Sequence, residues 1–134
     1  MPGCVLRAAG DGFQVEKFLE TCTLSPCNVF RKGERKSRDR VWDTSGITVV
    51  VSDASGDEPD RQVREAVSFL KAHRDELARL RAFDGVTEMG LDFGLNRKNG
   101  FAQYIRFPAE LTAIAGELRM GIEVSIYGEG ADIG

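Results

Sequence analysis

The stretch "VTEMGLDFGLNRKNGFAQYIRFP", residues 86–108, decides how this chain is organised. In its first half Met89, Leu91, Phe93 and Leu95 alternate with Glu88, Gly90, Asp92, Gly94 and Asn96. That period of two belongs to a strand with one side in a core and the other toward water. Asn99-Gly100 follows, a pair suited to a tight hairpin because both turn positions favour positive φ. The second half alternates as well, Phe101, Gln103, Ile105 and Phe107 against Ala102, Tyr104 and Arg106. The pattern predicts a hairpin, 86–96 paired with 101–108, whose polar side carries Asp92, Tyr104 and Arg106.

Working outward, Pro108 opens the helix "AELTAIAGELRM" (109–120), Gly121 closes it, and "GIEVSIYGE" (121–129) alternates as a last strand, with Ile122, Val124 and Ile126 inward. Upstream lies the longest element, "PDRQVREAVSFLKAHRDELARLRAF" (59–83). Its apolar stripe of Val63, Ala66, Val67, Leu70, Leu77 and Leu80 has helical spacing, Pro59 suits the first turn, and Asp84-Gly85 stops it. Before it, "GITVVVSDA" (46–54) is β-branched and reads as a strand. "NVFRKGE" and "RDRVWDT" read as two short strands around a charged turn, "FQVEKFLETC" (13–22) as a short amphipathic helix, and "CVLRAAG" (4–10) as the first strand. The predicted order is β-α-β-β-β-α-β-β-α-β. Hairpins mixed with crossover helices make this α+β: one domain over 1–134, with a largely antiparallel twisted sheet and helices packed on one face.

Composition sets limits on function. The chain has 134 residues, 42% hydrophobic and 29% charged, with a formal net charge of −3, ordinary values for a globular protein. An acidic balance disfavours a general polyanion binder. The first ten residues, "MPGCVLRAAG", break at Arg7 and do not read as a signal peptide. With no membrane-length apolar run and three cysteines, Cys4, Cys22 and Cys27, which cannot all pair, a cytoplasmic protein with reduced thiols is expected. The cysteine spacing lacks the paired ligands of a zinc site, so neither a metal nor a cofactor is expected. The P-loop and dinucleotide fingerprints are absent, and "GDG" (10–12) and "GEG" (128–130) read as turns.

Several strings resemble a family of small bacterial proteins known as domain of unknown function 4279: "VFRKGE" (29–34), "VSDA" (51–54), "AVSFLKAHRDEL" (66–77), "LDFG" (91–94), "FPAEL" (107–111) and "GIEVSIY" (121–127). They run in order along almost the whole chain. The resemblance implies a compact bacterial α+β domain and supplies no reaction and no catalytic residues. By analogy with other small bacterial families, a protein partner or antidote-type role fits.

Three places remain where function could sit. The first is the polar sheet face, where Asp92 stands between two glycines, with Tyr104 and Arg106 from the expected hairpin and Glu123, Ser125 and Tyr127 from the last strand. Such a face suits a protein or small polar ligand, and the leading expectation is a binding or interaction module that does no chemistry, with a homodimer as a candidate assembly. The alternative is a small hydrolase or isomerase using Asp92 or Glu123 with Tyr104 in a carboxylate–phenol pocket. The second place is the basic run at 31–40, where Arg31, Lys32, Arg35, Lys36, Arg38 and Arg40 are interrupted by Glu34 and Asp39. A nucleic-acid adaptor would use these, but a charged hairpin protecting a sheet edge is the favoured reading. The third is His73, the only histidine, on the long helix near its apolar stripe, where a half-buried structural role is expected.

Overall fold

The computed structural model describes residues 3–128, with a five-stranded sheet at its centre. Its strands are β1 (Gly3–Gly10), β2 (Asn28–Phe30), β5 (Ser45–Ser52), β6 (Glu88–Asn96) and β7 (Gly121–Tyr127), in spatial order β2-β5-β1-β6-β7. All neighbours are antiparallel except β6 and β7, which run parallel. The short strands β3 (Arg35–Ser37) and β4 (Arg40–Val41) form a separate two-stranded ribbon. Four helices complete the chain: α1 (Val15–Glu20), α2 (Pro59–Ala72), α3 (Arg74–Ala82) and α4 (Ala109–Glu117). The α+β class, with a mostly antiparallel sheet, is the one the sequence predicts.

One side of the sheet is the core. Cys4, Leu6 and Ala8 from β1, Ile47, Val49 and Val51 from β5, and Met89, Leu91 and Phe93 from β6 are buried against Val63, Ala66, Leu70, Leu77, Leu80, Leu111 and Ile114 from the helices. Leu95 is buried as well, so the whole alternating row of β6 is removed from water. Removal of this much apolar surface from water is the main term favouring the fold.

The expected hairpin does not form. Residues 101–108 join no sheet, and the free edge of β6 is taken by β7 instead. The pairing runs without a break from Gly90↔Gly121 to Asn96↔Tyr127. Only one segment can occupy that edge, and β7 brings β-branched residues in register with Leu91, Phe93 and Leu95. The Asn99-Gly100 turn is replaced by a side-chain clasp, in which the Gln103 amide donates to the Asn96 carbonyl and accepts from the Lys98 amide. Phe107 then packs on Phe93 at 5.1 Å, so its alternation records burial of a coil and not of a strand.

Two smaller differences have local causes. The long helix divides at His73, whose backbone (φ −113, ψ 20) leaves the helical region while its imidazole lies 4.4 Å from the Phe69 ring. α2 crosses the middle of the sheet, whereas Leu77 and Leu80 of α3 are buried in the core beyond the break. The basic hairpin also shifts: residues 28–30 join β5 in the main sheet, and the ribbon forms from 35–41 alone.

α3 is tied to the loop after α1 by one half-buried carboxylate. Glu76, only 12% exposed, accepts from the Thr23 backbone N–H at 2.8 Å and from Arg79 Nε at 2.7 Å. Arg79 in turn lies over the Phe18 ring at 4.5 Å. The Arg79 hydrogen bond, helped by the Thr23 amide, lowers the Glu76 pKa from its ordinary 4.5 to about 2. A depressed carboxylate pKa contributes stability that is complete above 4.5 and lost as pH falls through about 2. Glu76→Gln is therefore expected to destabilise the protein by about 2 kcal/mol at neutral pH. In urea titrations the gap between wild type and variant should close as pH falls from 4.5 toward 2, and a gap independent of pH would refute the assignment.

Candidate functional site

The side of the sheet away from the helices carries the site. Register places Thr48, Arg7, Gly90 and Gly121 in one row across four strands, and Val50, Val5, Asp92 and Glu123 in the next. Because the two glycines are neighbours across the parallel pair, the floor there is bare backbone. Side chains on either side then enclose a shallow concavity of about 570 Å³.

Its walls are charged. Arg7 donates to Glu88 at 2.6 Å, a pair set by adjacent strands at one margin. Asp92 is half-buried, and both of its oxygens accept from Ser125 Oγ, at 2.8 and 3.0 Å. Glu123 stands beside Asp92 on the neighbouring strand. At the other end are Arg81, from the last turn of α3, and Arg119, just past α4. Arg81 Nε donates to the Arg119 carbonyl at 3.1 Å, which fixes the two relative to each other. The Asp92 charge is also felt through the sheet: burial first, and Asp92 second, push the Cys4 thiol up to about 12, so this cysteine stays protonated.

The predicted site residues divide into two groups. Asp92 and Glu123 come together in the concavity, as strand alternation predicts. Tyr127 shares their sheet face but lies further along β7, outside the lining. Tyr104 and Arg106 do not reach it: the segment that was to bring them is a coil, Tyr104 is 84% exposed, and Arg106 is exposed. The carboxylate–phenol pocket expected of an enzyme is therefore not assembled from Tyr104.

Arg7, Glu88, Arg81 and Arg119 were not singled out by sequence reasoning. Arg7 was open to detection, since it alternates with Cys4, Leu6 and Ala8 and so faces the polar side. Arg81 and Arg119 lie at helix ends, where a cation is expected simply to complement the helix dipole.

The basic edge is dispersed. Arg31 pairs with Glu16 in the first turn of α1, and Lys32 with Asp11 at 2.5 Å in the turn after β1, so both cations already have acidic partners. Arg35 donates to the Arg38 carbonyl, and the Lys36 ammonium lies 4.7 Å from the Trp42 ring. Trp42 also stacks on Phe30 with the ring centroids 4.2 Å apart, so the indole is already engaged within the protein. Among the described residues no group of three or more His, Cys, Asp or Glu is placed to hold a metal ion, and no helix is long and apolar enough to cross a membrane.

No curated protein and no solved structure matches the chain. The family model described as "Domain of unknown function (DUF4279)" does, over residues 3–129, a span that takes in every strand and helix of the fold and all of the charged concavity. This chain belongs to the DUF4279 family.

Proposed function

We propose that this protein is a binding module whose open sheet face holds a small polar ligand. The observation that carries this reading is the glycine-floored concavity between Arg81 and Arg119 at one end and Asp92 and Glu123 at the other. A solvated sheet face has no need of a hollow, and side chains at positions 90 and 121 would fill this one. Gly121 is the more telling of the two. A Cβ there meets nothing within 4 Å, so neither packing nor backbone conformation requires glycine at that position.

Binding is favoured over catalysis by the way the carboxylates are held. Asp92 is held as an acceptor by Ser125, and the Tyr104 phenol lies elsewhere. A nucleic-acid role is disfavoured by the neutralised Arg31 and Lys32 and by the stacked Trp42.

Gly121→Val tests the reading. The substitution suits an edge strand and is expected to leave the melting temperature within a few degrees of wild type. In a saturation-transfer NMR screen of amino acids, sugar phosphates and nucleotides, ligands of the wild-type chain should lose about tenfold or more in affinity. If hits bind wild type and variant equally, the ligand site lies somewhere else.

A further inference from the structure

We infer that the ligand of this concavity is dipolar: a small molecule with a carboxylate or other anionic group at one end and an ammonium or guanidinium at the other. The inference rests on the binding reading above and specifies its chemistry. Four features of the molecule lead to it.

First, the charges are balanced overall but sorted in space. Three arginines, Arg7, Arg81 and Arg119, face three carboxylates, Glu88, Asp92 and Glu123. Arg7 and Glu88 neutralise each other at 2.6 Å and form a fixed margin. What remains is a cationic pair at one end and an anionic pair at the other.

Second, these four charges have no opposite partner within ion-pair distance among the described residues, although ten such pairs occur elsewhere in the structure. Arg81 spends only its Nε, on a carbonyl, which leaves the outer nitrogens of its guanidinium available. Asp92 is hydrogen-bonded by a hydroxyl, which orients the carboxylate without cancelling its charge.

Third, Arg119 is held at φ 56, the one described non-glycine residue in the left-handed region. Helices commonly end on glycine in this conformation, since a Cβ costs about 1 kcal/mol there. Strain of this kind gathers where a particular side chain is needed. Here it sets a guanidinium at the rim of the hollow.

Fourth, the acidic pair lies two strand positions beyond the glycine pair, about 7 Å along β6 and β7. A ligand lying on the glycines would meet arginines at one end and carboxylates at the other. A purely anionic ligand would face Asp92 and Glu123, and a purely cationic one would face the arginines. A dipolar molecule satisfies both ends.

The probe is 6-aminohexanoate, whose extended chain covers a comparable distance, with hexanoate and hexylamine as single-ended controls. Titration of the ¹⁵N-labelled protein should show saturable shifts at the Gly90 and Gly121 amides with 6-aminohexanoate. Each control should bind about tenfold more weakly, since two-point attachment is lost. Arg119→Gly and Glu123→Gln should each weaken the probe by a similar factor. Arg119→Gly removes the guanidinium and relieves the backbone at once, so its melting temperature should match or exceed wild type and exclude misfolding as the cause. No saturable binding, equal binding of hexanoate or hexylamine, or indifference to both variants overturns the dipolar assignment. If 6-aminohexanoate fails while a purely anionic ligand from the screen depends on Gly121, the binding reading stands while the dipolar one falls. If no ligand depends on Gly121, both fall.

Discussion

Gly85→Ala is expected to destabilise this protein by about 4 kcal/mol or more, a large share of the roughly 5–15 kcal/mol that holds an ordinary domain folded. Gly85 sits at φ +90 in the turn after α3, where a side chain is strained whatever the space around it. Its Cβ would also lie 2.1 Å from the Gly12 carbonyl oxygen and 2.5 Å from the Phe13 nitrogen. The contact is reciprocal, because a Cβ on Gly10 would come within 1.7 Å of the Gly85 oxygen. Two backbones therefore touch where β1 ends and β6 is about to begin. The Thr87 amide donates to the Ala9 carbonyl at 3.0 Å at the same junction. Separating the strands there would also disturb the rings of Phe13, Phe18 and Phe83, which meet at 5.2 to 6.2 Å. Gly12→Ala is the control, since a Cβ at Gly12 meets nothing within 4 Å. Melting of Gly85→Ala within a few degrees of both wild type and Gly12→Ala would show that the junction relaxes and that the close approach is unimportant.

That junction illustrates what the sequence displays and what it conceals. Gly-Asp-Gly at 10–12 and Asp84-Gly85 are each legible as turns, because turn chemistry is local. Their contact with each other is not, because it depends on which strands become neighbours. The same division runs through the rest of the molecule. The burial of Met89, Leu91 and Phe93 was visible in the period of β6. The partner of β6 was not, since residues 101–108 and 121–127 both alternate and nothing local decides which takes the edge.

The candidate site follows this division. Asp92 and Glu123 were recoverable because each lies on a strand whose polar face is obvious, and the parallel pairing sets them side by side. Tyr104 and Arg106 were assigned to the same face only through the hairpin, and they left the site when it did not form. Arg81 and Arg119 approach from helix ends, a relation that strand periodicity cannot express. The signal for Arg119 is a helix ending on arginine where glycine is usual.

Gln62→Leu is expected to destabilise the fold by about 3 kcal/mol, even though leucine would extend the apolar stripe of α2. The sequence marks Gln62 as a polar neighbour of that stripe, yet the structure buries it completely. Its amide nitrogen faces three backbone carbonyls: Gly94 at 2.9 Å, Ser55 at 3.1 Å and Ala54 at 3.3 Å. Gly94 belongs to β6, whereas Ala54 and Ser55 belong to the loop that carries the chain from β5 into α2. One side chain thus joins sheet, loop and helix, and leucine would strand buried acceptors that have lost their donor. Gln62→Glu separates this explanation from a simple packing defect, because its shape is nearly the same. A carboxylate directed at three carbonyl oxygens is repelled and desolvated, so the folded state raises its pKa. Stability withheld from Gln62→Glu at neutral pH should then return as pH falls and the carboxyl becomes a donor, whereas Gln62→Leu should remain equally impaired throughout. Urea titrations of both variants from neutral pH to about pH 4 make the comparison, the lower limit being near the ordinary carboxyl pKa. Recovery of neither variant would place the loss in packing alone, and a Gln62→Leu protein as stable as wild type would show that these carbonyls find water without cost.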